Sequence, residues 1–152
     1  MLKNDNSLKM LILYYGVLQG LHLLILVRAG LLLLSGQNNV FPVLPPPDGW
    51  QEQTWPFMFG LGGMDVVGIL LALIFAYLAL RKNKITDLIG ILSLTIFISG
   101  AIIFAVGTLF AGAWRTHPVG YGLMTILFLP ALILFGLLIS RLSITPQIQH
   151  DA

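Results

Sequence analysis

Four long apolar stretches alternate with short polar ones along this chain. They run from about Lys9 to Ser35, Pro56 to Leu80, Leu88 to Ala111 and Val119 to Ser140. Each reaches the roughly 20 residues that a helix needs to cross a bilayer. In lipid a backbone amide has no water to bond, so a spanning segment is either a helix or a strand of a closed barrel. Barrel strands alternate polar and apolar residues, and these stretches do not. The pattern therefore predicts an all-α, integral membrane four-helix transmembrane bundle, folded as a single domain over residues 1–152. The run from Met10 to Leu34 is too long for the apolar core of a signal peptide, about 7–15 residues, and reads as a retained span.

The connections differ in character. The outer loop, 36–55, is the longest and carries the run Pro45-Pro46-Pro47, which is expected to be extended. The 81–87 connection is short and basic, and Thr86 or Asp87 is the expected N-cap of the third helix. The 112–118 connection is a turn, with Pro118 placed to open the fourth helix and Pro130 placed to kink it.

Charge then sets an orientation. Lys3, Lys9, Arg81, Lys82, Lys84 and Arg141 fall on one side of the four spans, and Arg115 alone falls on the other. Basic residues are retained in the cytoplasm, so both termini and the 81–87 loop are expected there, in the plasma membrane. Trp50, Trp55 and Trp114 then lie at the outer surface, where an aromatic belt is expected.

Composition narrows the functional classes. The chain is 57% hydrophobic and 9% charged, too apolar to be covered by its own polar surface, so lipid is its solvent and membrane lipid its first partner. A net charge of +2, with no basic residues interleaved with aromatics, argues against nucleic acid. The lack of cysteine excludes thiolate chemistry and iron–sulfur or cysteine–zinc sites. No catalytic constellation, metal-ligand cluster or cofactor motif is present. Gly60-Leu-Gly-Gly63 lacks the lysine and strand context of a phosphate loop; it would either loosen the second helix or serve as a packing notch.

Small residues give every helix a face for close approach: Gly16 and Gly20; Gly68, Ala72, Ala76 and Ala79; Ser93, Gly100 and Gly107; Gly122, Thr125, Gly136 and Ser140. Such faces suit a compact bundle, a homo-oligomer or a larger membrane complex. Asp65-Val-Val-Gly-Ile-Leu70 and Asp87-Leu-Ile-Gly-Ile-Leu92 are alike, and each would open one of two antiparallel helices. Six residues of common type do not exceed chance.

Polar groups at membrane depth are the candidate functional residues, because placing them there is costly. At about 1.5 Å per residue, Arg28 lies roughly 28 Å beyond Lys9 and Asp65 roughly 24 Å from Arg81. Their matched height predicts an ion pair in the outer half, with Thr108 and Tyr121 nearby; it would either bind a ligand or lock two helices together, and the alternative to the pair is Arg28 snorkelling to the outer headgroups. His22 shares a stripe with Tyr15 and Gln19, about 120° from Arg28 at 100° per residue. His22 and Gln19 are candidates for a proton relay, against a neutral ring satisfied by a neighbouring helix. The leading expectation is a non-enzymatic accessory subunit or lipid- or partner-binding membrane protein. The alternative is a small homodimeric transporter with an outer-half Arg/Asp site. A lipid-modifying membrane enzyme ranks third, because Asp65 has no second carboxylate at its depth.

Overall fold

The computed structural model describes residues 5–37 and 43–144; Lys3 and the side chain of Trp55 lie outside the described residues. Over this range the chain is all-helical. Its order is α1 (Asp5–Leu34), a 3-10 turn (Glu52–Thr54), α2 (Trp55–Leu80), α3 (Thr86–Phe110), a single turn α4 (Ala113–Thr116) and α5 (Pro118–Ile144). The four long helices are each apolar and long enough to cross a membrane.

The four spans form a ring in which α1 packs on α2 and α5, and α3 packs on the same two. Successive helices run antiparallel. Gly16 of α1 faces Ala76 of α2, while His22, further along α1, meets Asp65, further back on α2. One end of the bundle, the terminal end, carries the start of α1, the 81–85 turn and the close of α5. The other, the loop end, carries the 43–54 segment and α4.

The terminal half is filled. Tyr15, Ala72, Phe75, Leu94, Ala131, Leu134 and Leu138 are all buried completely and make one cluster across the four helices. Tyr15 sets its edge against Phe97, with ring centroids 5.6 Å apart, and Phe97 tilts against Phe128 at 5.3 Å. Such aromatic pairs contribute about 0.5–1.5 kcal/mol beyond their burial. Ser93 donates a hydrogen bond to the Gly68 carbonyl at 3.0 Å. Its only proton is thereby committed, so the Tyr15 hydroxyl, 2.9 Å away, is the donor to Ser93 Oγ. One polar chain thus ties α1 to α3 and α3 to α2 with every proton used.

Glycine fixes how closely α2 and α3 approach. A Cβ at Gly90 would stand 2.5 Å from the Phe75 ring and 2.8 Å from a Leu138 methyl, and one at Gly68 3.2 Å from Ile96. Other small-residue positions expected to pack do not: a Cβ at Gly20, Gly122 or Gly136 would meet nothing within 4 Å. Gly60, Gly62 and Gly63 are equally open, and α2 runs through them unbroken, so they neither loosen the helix nor form a notch within this chain.

Several local expectations are corrected. The α3 N-cap position is Ile85, without a side-chain cap. The capping work falls to Asn83, whose side-chain oxygen accepts from the Ile85 amide and whose carbonyl accepts from the Thr86 hydroxyl and amide. The proline run does not stay extended: the Gly49 amide bonds back to the Pro46 carbonyl at 2.9 Å, making a turn with Pro47 at its first central position. The two Asp-containing hexapeptides are not equivalent, because Asp87 is the second residue of α3 while Asp65 lies ten residues inside α2. The helix α5 begins on Pro118 as expected and is continuous through Pro130. Pro130 leaves the Ile126 carbonyl without its helical donor. Next to it, the Leu127 carbonyl accepts from the Tyr14 hydroxyl of α1 at 2.5 Å.

Candidate functional site

Two polar clusters occupy the loop half. The first is a cap. Tyr121, buried at the start of α5, donates to the Leu44 carbonyl at 2.8 Å and so fastens the long connection to the bundle. Trp114 of α4 stacks on Tyr121 with ring centroids 5.2 Å apart and planes 16° from parallel. Its indole N–H donates to Thr108 Oγ1 at 2.9 Å, and Thr108 in turn donates to the Phe104 carbonyl at 2.8 Å. The expected candidates Thr108 and Tyr121 therefore belong to one satisfied cap. A shallow cleft beside it is lined by Pro46, Asp48, Trp50, Thr54 and Ala111.

The second cluster lies deeper. Asp65 Oδ2 is 3.6 Å from His22 Nε2, with the aspartate side chain 26% exposed and the histidine 33%. At 3.6 Å this is a charge contact and not a hydrogen bond, for which about 2.7–3.2 Å is required. Oδ1 faces α3 at Gly100, where an added Cβ would lie 3.6 Å from it. Gly100 is eight residues, about 12 Å, from Thr108 along α3, so the pair and the cap are separate.

The charge partner of Asp65 is thus His22 and not Arg28, which is exposed. Height alone suggested Arg28, but azimuth decides. Tyr15 and Gln19 on the same stripe are buried, which turns that stripe into the bundle and brings His22 with it. Arg28, about 120° away, is carried to the outside of the bundle, where its long stem can extend along apolar surface.

Gln19 lies on the same stripe of α1 as His22. It stands one turn from His22 on α1, is 1% exposed, and its amide nitrogen has no hydrogen-bond partner among the described residues. A buried donor left unmade costs about 1–3 kcal/mol, so such groups usually mark strain or a site.

A second ion pair sits at the terminal end, where Arg141 Nε lies 3.5 Å from Asp87 Oδ2. Asp87 is in the first turn of α3 and Arg141 in the last turn of α5, so each charge also suits its helix dipole. Among the described residues no group of three or more histidine, aspartate or glutamate side chains is arranged to hold a metal ion.

Sequence reasoning grouped His22 with Gln19 as a possible proton relay but set Asp65 against Arg28, and so did not pair His22 with Asp65. The shared stripe of Tyr15, Gln19 and His22 was the signal that would have done so. The Tyr15–Ser93–Gly68 chain had no such signal, because Ser93 was legible only as a small residue. The structure defines a four-helix bundle whose long helices are apolar enough to cross a membrane, with the His22–Asp65 pair inside its loop half among the described residues. Comparison with family models, curated proteins and solved structures finds no match.

Proposed function

We propose that this chain is a non-enzymatic membrane protein that binds a lipid or a membrane partner, with His22, Asp65 and Gln19 as its recognition point. The observation that carries this reading is the His22–Asp65 contact, which is only partly buried at a depth where polar groups are expensive. A bound molecule covering the pair would relieve that cost. The leading test is native mass spectrometry after mild extraction. A stoichiometric lipid or partner on the wild-type chain that is depleted in Asp65→Asn supports the reading, and a bare wild-type chain overturns it.

The orientation that goes with this reading puts both termini and the 81–85 turn in the cytoplasm, in the plasma membrane. Its support is the six-to-one division of basic residues between the two sides. A cysteine at Gln37 should label from outside intact cells, and one at Asn83 only after permeabilisation.

A second reading, a small homodimeric transporter, is favoured by the nature of the pair: an acid and a histidine in contact within the span are able to exchange a proton. It expects flux in proteoliposomes driven by a proton gradient and lost in Asp65→Asn.

A further inference from the structure

If the deep cluster binds a lipid, the reading on which this inference rests, then its own donors and acceptors define the kind of ligand. The clearest demand comes from one donor. Gln19 contributes an amide N–H that is buried and unpartnered among the described residues. His22 Nε2 and Asp65 Oδ2 stand 3.6 Å apart, without a hydrogen bond between them. The His22 imidazole adds at least one ring N–H. An ammonium ligand would satisfy Asp65 but would leave the Gln19 amide as it stands. A ligand that presents an oxygen acceptor suits the cluster better.

Depth says where that ligand comes from. Asp65 lies ten residues inside the loop end of α2, about 15 Å, and His22 twelve residues inside the loop end of α1, about 18 Å. In a hydrocarbon layer about 30 Å thick, this is below the boundary where the ester carbonyls of membrane lipids lie. The partial exposure of both side chains leaves the pair open on one side. Gly100 on the facing helix puts no side chain over Oδ1. We infer that His22, Asp65 and Gln19 form a binding site for a neutral, lipid-soluble molecule that carries a carbonyl oxygen on a ring or chain able to sit among acyl tails, and that the carbonyl oxygen accepts from Gln19 and from the His22–Asp65 pair.

The test uses the full chain in lipid nanodiscs and two probes matched in apolar bulk: decylubiquinone, which presents carbonyl oxygens, and decylbenzene, which presents none. Decylubiquinone should bind at least about tenfold more tightly than decylbenzene, as one or two added hydrogen bonds imply. Gln19→Leu, which keeps the side chain's bulk, should bring the two probes to within a few-fold of each other, and Asp65→Asn should weaken decylubiquinone selectively. Equal binding of both probes to the wild-type chain overturns the inference without reference to any variant. So does unchanged selectivity in a folded Gln19→Leu protein. Binding of benzylammonium with release of a proton, in place of decylubiquinone, reassigns the cluster to cations. A co-purifying lipid or protein that lacks a carbonyl would sink this inference and leave the broader binding reading standing.

Discussion

The two halves of this bundle solve the same problem in opposite ways. In the terminal half, the polar groups inside the ring are each committed. Tyr15 donates to Ser93 and Ser93 to the Gly68 carbonyl, while Asp87 and Arg141 meet at the very end, where water and headgroups are within reach. In the loop half, Asp65 and His22 meet well inside the span, are too far apart for a hydrogen bond and are not fully covered. Gln19 beside them has a free donor among the described residues. Glycines do not follow this division: Gly90 in the terminal half and Gly107 and Gly120 in the loop half are all pressed by neighbours, whereas Gly136, Gly60, Gly62 and Gly63 face open space. A region built for stability satisfies its polar groups and fills its notches. Polar groups left unfinished, as at His22, Asp65 and Gln19, are the better candidate for binding something else.

The largest expected effect breaks the filled half. Gly90→Val drives a branched side chain into Phe75 and Leu138, both fully buried, and neither can withdraw without disturbing the core cluster. A cost of about 3 kcal/mol or more is expected, as for severe overpacking. Gly60→Ala, on the open side of α2, should instead be neutral or stabilise by about 0.5–1 kcal/mol through helix propensity. Thermal unfolding in one detergent checks both. Equal losses at the two positions would erase the contrast between the halves.

Next in size is the polar chain. Ser93→Ala removes the acceptor of a fully buried tyrosine hydroxyl and should cost about 1–3 kcal/mol. Tyr15→Phe leaves Ser93 still donating to Gly68 and should cost about 1 kcal/mol, within the ordinary value of one hydrogen bond. If Tyr15→Phe proves the more damaging of the two, the direction assigned to this chain is reversed.

The spans were legible from hydropathy alone, to within a few residues at each end, because a bilayer demands length and apolarity and little else. The polar pairing was not, because it depends on rotation about the helix axis. Arg28 and His22 are six residues apart on α1, and both come near the height of Asp65; only the burial of Tyr15 and Gln19 shows which one faces inward. Thr108 and Tyr121 were likewise placed by height. Their shared partner Trp114 sits on the short helix α4, which a seven-residue turn in the sequence did not announce.

A double-mutant cycle sharpens the same point at intermediate cost. His22→Gln and Asp65→Asn should couple, each single loss falling between the about 0–1 kcal/mol of an exposed ion pair and the about 3–5 kcal/mol of a buried one. The double variant should be less harmful than the two losses added. Arg28→Ala should be additive with Asp65→Asn. Asp87→Asn, whose partner Arg141 is half exposed, should cost under about 1 kcal/mol and lose even that in high salt. Coupling between Arg28 and Asp65 would contradict the pairing of Asp65 with His22.

The smallest effect tests whether the filled half is also relaxed. The ends of α1 and α2 close in the same way: Gly36 and Lys82 each follow the last helical turn with a positive φ, 79° and 52°. After α1, the Gly36 amide bonds to the Leu33 carbonyl and the Gln37 amide to that of Leu32. After α2, Lys82 bonds to Ala79 and Asn83 to Leu78 in the same offsets. Glycine adopts this left-handed conformation without strain, whereas a side chain costs about 1 kcal/mol. Lys82→Gly should therefore stabilise the α2–α3 hairpin by about that amount, and Lys82→Ala should not, since both remove the charge and only one relieves the backbone. A charge at this position also helps to set which way the chain inserts. If Lys82→Gly raises thermal stability in detergent while lowering the fraction of correctly oriented chains in cells, then lysine is kept there for topology at the expense of a small strain. Equal stability of the glycine and alanine variants would mean that the backbone at this turn carries no strain to relieve.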